Sequence, residues 1–107
     1  MPGLTSLKCS NNQLTELGLS DVPRLTVLEC GENQLSALDL SHVAELTKLA
    51  CGGNELTELD LSDVPGLQTL DCAKNNLAKL DIRKLNYLVD LDYDPAVVLK
   101  KNKRQSF

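Results

Sequence analysis

Four cysteines stand at positions 9, 30, 51 and 72, each 21 residues from the next. Thiols hold zinc, form disulfides or act as nucleophiles, and each use needs particular company. Zinc sites pair their ligands at short spacing, as in C-x-x-C, and commonly add histidine. Here the spacing is uniform and the only histidine is His42. One histidine leaves no credible base-activated Ser or Cys triad. Cys9, Cys30, Cys51 and Cys72 therefore read as small apolar residues, buried and reduced. In register on parallel strands their side chains would also point the same way, a poor geometry for a disulfide.

Carboxylates form two groups. Asp71, Asp90, Asp92 and Asp94 gather toward the C-terminal end. Such a cluster can be solvated and partly neutralised by nearby lysines, or can be a weak hard-cation site. It can also be a catalytic pair, because Asp71 and Asp92 would sit about 5 Å apart on neighbouring strands, as in some glycosidases. No pocket-forming insertion surrounds them, so the solvated reading is preferred and no metal or cofactor is expected. Asp39, Asp60 and Asp81 form a second column. Stacked like charges repel unless screened, and this column reads as a solvated turn-side face. His42 falls in a surface turn, and no Gly-rich phosphate loop is present.

What positions these residues is a repeat. Leu4, Leu25, Leu46, Leu67 and Leu88 are 21 apart, as are Leu7, Leu28, Leu49, Leu70 and Leu91, and as are Asn12, Asn33, Asn54 and Asn75. The units are 4–24, 25–45, 46–66 and 67–87, with a partial fifth and a cap at 88–107, so 1–107 forms a single domain without linker. In x-L-x-C-x, apolar residues alternate with variable ones, the period of a strand with one buried face. Strands are expected at Ser6–Ser10, Val27–Gly31, Lys48–Gly52, Thr69–Ala73 and Asp90–Asp94, stacked in parallel about 4.8 Å apart. Each unit also echoes itself, as Leu14-x-x-Leu17-x-Leu19-x-x-Val22. About ten residues ending near Pro23 or Pro65 leave little room for an α-helix. The return side should be extended, with a 3₁₀ turn near Ser-Asp-Val-Pro. An inward Asn at the bend after each strand can satisfy backbone groups that the turn leaves unpaired.

The motif L-x-x-L-x-C-x-x-N-x-L resembles the leucine-rich-repeat family, and the short unit with Cys in the strand is similar to its bacterial members. The resemblance covers residues 4–91 and implies a right-handed solenoid, mainly β. Its parallel sheet would lie on the concave side, with short extended or 3₁₀ segments on the convex side. It implies that Asn12, Asn33, Asn54 and Asn75 form a structural ladder beside the four Cys. It also implies protein binding through outward strand residues of the concave face. Here these are Ser6, Val27, Lys48, Thr69 and Asp90, then Lys8, Glu29, Ala50, Asp71 and Asp92, then Ser10, Gly31, Gly52, Ala73 and Asp94. Of these, Lys8, Glu29, Lys48, Asp71, Asp90 and Asp92 are the expected contact residues.

Composition narrows the partner. The chain has 23 Leu against two Tyr, one Phe and no Trp, so aromatic binding surfaces and base-stacking platforms lack their residues. Net charge is −4, which argues against general nucleic-acid binding. Residues 1–99 carry seven Lys plus Arg against fifteen acids, whereas Lys100, Lys101, Lys103 and Arg104 make a basic tail. No apolar run of about 18 residues suggests a membrane span. Met-Pro-Gly-Leu does not look like a secretion leader. Reduced thiols are compatible with the cytoplasm, and the sequence leaves the compartment open.

The ends differ. At the C-terminal end Tyr93 replaces the Cys, Ala96 the Asn, and Pro95 interrupts the motif, so Ala96–Leu99 should close over the last coil. Met1-Pro2-Gly3-Leu4 aligns with Val64-Pro65-Gly66-Leu67, which suggests an uncapped first coil able to self-associate. The expected function is a non-catalytic protein-interaction module. The alternative is a structural or self-assembling solenoid, a fragment or an engineered module, with no ligand of its own.

Overall fold

A strand with one buried face is stable only against a neighbour that buries the same face. In the computed structural model, which describes residues 3–107, the neighbour is the next coil. Strands β1 (Ser6–Lys8), β2 (Val27–Glu29), β3 (Lys48–Ala50), β4 (Thr69–Asp71) and β6 (Asp90–Asp92) form one parallel sheet in that order. The register is 21 residues throughout: Ser6 faces Val27, Leu28 faces Leu49, Asp71 faces Asp92. Each strand is three residues long, two short of the expected segment, yet the ladder continues beyond it. Cys9 N–H donates to Glu29 C=O at 2.8 Å and Asn11 N–H to Gly31 C=O at 3.0 Å. The bend at the third outward residue ends the flat strand but not the pairing.

The return side is extended and closes in two successive turns. Val22 N–H donates to Leu19 C=O, and Leu25 N–H to Val22 C=O. Pro23 and Pro65 occupy the second position of the latter turn, where a fixed φ suits it. The other coils repeat the pair, as at Val43 and Leu46, and no helix occurs among the described residues. Between the two sides lies one core of Leu, Val, Ile and Cys. Leu25, Leu28, Leu46, Leu49 and Leu67 are fully buried. Each such Leu contributes about 1.5–3 kcal/mol through removal from water. Leu4, Leu7, Cys9 and Leu14 of the first coil are only half-buried. The expected equivalence of Met1 and Pro2 with Val64 and Pro65 lies outside the described residues.

The fifth coil departs from the expected spacing. On the convex side, β5 (Lys79–Asp81) pairs in parallel with β7 (Val98–Lys100), and Leu80 faces Leu99, 19 residues on. Two residues have dropped out between Asp92 and Val98. Asp94 fills the gap at the concave edge. Both its carboxylate oxygens accept the Lys74 N–H at 2.9 Å, where the earlier coils use a backbone carbonyl. Val97 is buried, and Ala96, the residue in the Asn column, is exposed.

Candidate functional site: the concave strand face

The pleat turns alternate residues of β1–β4 and β6 outward, so the variable positions form continuous columns on one face. Lys8, Glu29, Ala50, Asp71 and Asp92 lie in register across five strands, beside Ser6, Val27, Lys48, Thr69 and Asp90. At the β1–β3 end, Glu29 is shared. Its Oε2 lies 3.8 Å from Lys8 Nζ and 3.9 Å from Lys48 Nζ. Exposed pairs of this length are worth at most about 1 kcal/mol each. At the other end the residues are acidic. Asp71 accepts the Ala73 N–H at 3.2 Å, and Asp90 and Asp92 are exposed. Among the described residues no salt bridge reaches Asp71, Asp90, Asp92 or Asp94.

The basic tail does not lie over them, contrary to the expected partial neutralisation. Backbone pairing carries Lys100 to the convex side, in register with Asp81. The return of the fifth coil brings the tail there, and the two-residue shortening sets Lys100 opposite Asp81 where a 21-residue step would set Asn102.

The third column is small because the coils approach closely at the bend. A Cβ on Gly52 would stand 3.0 Å from Ala73 O and 3.1 Å from Asp71 Oδ1. The next residue in each coil is left-handed: Asn11, Glu32, Gly53 and Lys74 have φ of 61°, 54°, 71° and 58°. The result is a shallow lane of about 350 Å³ over Gly31, Gly52 and Ala73, flanked by Asp71 and Asp92.

Beneath the lane the Asn column bridges the coils. Asn54 Nδ2 donates to Cys30 O at 3.1 Å and Cys51 O at 3.0 Å, and its Oδ1 accepts the Leu35 N–H at 3.0 Å. Asn33 repeats this with Cys9 O, Cys30 O and the Leu14 N–H, and Asn75 with Cys51 O, Cys72 O and the Leu56 N–H. Asn12 is exposed and donates only within its own coil, to Cys9 O and Ser10 O.

The cysteines are free. Cys30, Cys51 and Cys72 are buried and Cys9 is half-buried. Burial pushes the Cys30 thiol up to about 12, with the Cys9 thiol adding to it. Burial likewise pushes Cys72 to about 12, helped by Asp71, Asp94 and Asp92. At neutral pH these are protonated thiols, the poorly nucleophilic form. No group of three or more His, Cys, Asp or Glu is arranged to hold a metal among the described residues.

Sequence reasoning missed the work of the convex aspartates. Asp39 Oδ1 accepts both the N–H and the hydroxyl of Ser41, at 3.0 and 2.6 Å, and Asp60 does the same for Ser62. Asp81 accepts the Arg83 N–H and forms a two-pronged pair with its guanidinium at 3.0 and 2.9 Å. These side chains tie the convex turn. The signal was available, since Asp followed two residues later by Ser is a recurrent turn pattern.

Strands in 21-residue register, an Asn at the bend of the first four coils and a Leu core define the coil. The family model described as leucine-rich repeats (two copies) matches residues 2–42. The chain has the leucine-rich-repeat fold, and its first two coils match that family's model. Among solved structures, this leucine-rich-repeat solenoid is similar to the functional domain of InlJ from Listeria monocytogenes, described as including a cysteine ladder. The TM-score is 0.75 and the identity 29%, over 87% of this chain and 25% of that one. It is also similar to an internalin, InlF, from Listeria monocytogenes, with TM-score 0.77 and 27% identity over 95% of this chain and 31% of that one. The repeats thus span about a quarter to a third of the chains they match. A comparison with curated proteins found no match.

Proposed function

We propose that these repeats form a non-catalytic protein-interaction module whose contact surface is the concave face. Lys8, Glu29, Lys48, Asp71, Asp90 and Asp92 supply the polar contacts. The observation that supports this is the segregation of charge. Lys8 and Lys48 share one carboxylate, while Asp71, Asp90 and Asp92 have no ion-pair partner among the described residues. A partner that places Lys or Arg groups over β4 and β6 gains from every unpaired carboxylate, and complementary charge raises both specificity and association rate. Catalysis fits this face poorly, because Asp71 and Asp92 lie on an open sheet that nothing dries.

The test is an NMR titration with a Lys-rich decapeptide and its Glu-rich counterpart, at low and at roughly physiological salt. The expected result is saturable shifts from the Lys peptide alone, centred on β4 and β6 and weakened by salt. They should be abolished in Asp71→Lys/Asp92→Lys and enhanced in Lys8→Glu/Lys48→Glu. Shifts centred on Asp39, Asp60 and Asp81 would overturn the proposal. A second reading, self-association, is favoured by the half-buried Leu4, Leu7, Cys9 and Leu14 of the first coil, whose counterparts Leu25, Leu28, Cys30 and Leu35 are fully buried. Light scattering that gives a monomer mass at high protein concentration removes it.

A further inference from the structure

The tail after β7 folds back onto the convex turn of the fourth coil through side-chain amides. Gln105 Nε2 donates to Ile82 O at 2.6 Å and Leu85 O at 3.2 Å, and Asn102 Nδ2 to Arg83 O at 2.8 Å. The tail is further braced from within. Asn102 N–H donates to Gln105 Oε1 at 2.8 Å, and Arg104 N–H to Asn102 Oδ1 at 2.9 Å. Gln105 is bonded to the coil and Phe107 packs against the core, and between this tail and the fourth coil's turn lies a partly open cavity of about 280 Å³.

Its lining has two characters. Leu85 and Leu88 are buried, Phe107 is half-buried, and Val89, 78% exposed, stands among them. The polar side is Asn86, Asn102, Gln105, Ser106 and Arg104. No Asp or Glu side chain lines the cavity, the main-chain oxygen of Phe107 is held by Lys101 Nζ at 2.6 Å, and Arg104 enters no salt bridge among the described residues. A guanidinium that is always charged and forked suits a carboxylate. An aliphatic and aromatic wall beside it suits an apolar group a few bonds away. The volume lies near the lower end of small-ligand pockets, so it admits one residue-sized group.

We propose that this cavity binds a small carboxylate bearing a branched aliphatic group, with Arg104 on the carboxylate and Leu85, Leu88, Val89 and Phe107 around the apolar part. The chemistry is that of an N-acylated hydrophobic amino acid, whether free or as the last residue of a peptide. It is independent of the concave face.

The experiment is a heteronuclear NMR titration of the whole chain with N-acetylleucine, with N-acetylleucinamide and acetate beside it. N-acetylleucine should give saturable shifts at Asn86, Val89, Asn102 and Gln105. The amide should bind roughly ten-fold or more weakly, because it loses the charge-assisted bonds. Arg104→Gln, at an exposed position, should weaken N-acetylleucine equally while the thermal midpoint stays in place. Val89→Glu, which puts a carboxylate into the lining, should act in the same direction. A short peptide ending in Leu separates the two sources: binding as tight as N-acetylleucine identifies a peptide end, and weaker binding identifies a free small molecule. Either supports the site. No saturable shift, equal binding of the amide, or acetate binding as tightly as N-acetylleucine overturns it.

Discussion

Replacing Asn54 by Leu removes three hydrogen bonds but orphans only one group. Cys30 O loses Asn54 Nδ2 and keeps Asn33 Nδ2 at 3.0 Å. Cys51 O loses it too and keeps Asn75 Nδ2 at 3.0 Å. The Leu35 N–H has no second acceptor, because Asn54 Oδ1 at 3.0 Å is its partner and Leu35 is fully buried. The two carbonyls lose a shared bond each, and the stranded donor carries its desolvation penalty, about 1–3 kcal/mol in total. With a urea slope of about 1–2 kcal/mol per molar, the midpoint should fall by ~0.5–3 M. The same change at Asn12 should cost far less, since Asn12 is exposed and Cys9 O retains Asn33 Nδ2. Asn54→Asp should be worse than Asn54→Leu, because it keeps the acceptor but buries a charge against two carbonyl oxygens. The assay is urea unfolding followed by far-ultraviolet circular dichroism on the four proteins at neutral pH. Equal midpoints for Asn12→Leu and Asn54→Leu would refute the reasoning, because they would mean that the amide matters only within its own coil.

Thiol titration of the native protein near pH 8 should find Cys9 reacting first and Cys30, Cys51 and Cys72 only on unfolding; four fast thiols would contradict the buried ladder. Because burial raises these thiols in the fold, their contribution is complete below about pH 9 and is lost as pH rises toward 12, where the unfolded chain releases protons first. The hydrogen bond from the Arg83 side chain, with its backbone N–H and charge, holds the Asp81 carboxyl well below the usual carboxylate range. Its stabilisation is present above about pH 4 and lost on acidification. Arg83→Ala should move the Asp81 carboxyl titration, read by NMR, upward toward pH 4, and an unchanged midpoint would contradict the pairing. Glu32 holds φ at 54°, so Glu32→Gly should relieve left-handed strain and raise stability by about 0.5–1 kcal/mol, after the entropy of the freer unfolded glycine is deducted. A lower thermal midpoint would show that the Glu32 side chain, which lies over Gly53, matters more than its backbone.

The coil was legible in the chain because its cause is local and repeated. A 21-residue recurrence of Leu, Cys and Asn leaves one way to bury every inward side chain, and the concave columns follow from a strand period of two. The strands proved shorter than the alternation suggested, since the left-handed residues at 11, 32, 53 and 74 bend the backbone while pairing goes on. Nothing in residue type distinguishes Glu32 or Lys74 as left-handed; the stacked coil imposes it. The convex aspartates were read as charge when their geometry makes them turn ties, and a side-chain acceptor two residues before its donor is a conformational fact that spacing only hints at.

The fifth coil shows where the division lies. Repeat register and the inward face are properties of the amino-acid pattern, because each unit meets a copy of itself and the periodic match decides the pairing. Past Asp92 there is no copy to match. The 19-residue step to β7, the carboxylate of Asp94 in place of a backbone carbonyl, Lys100 opposite Asp81 and the cavity under Arg104 arise there. They depend on which edge the last irregular segment satisfies, a choice among non-local contacts that no repeat encodes.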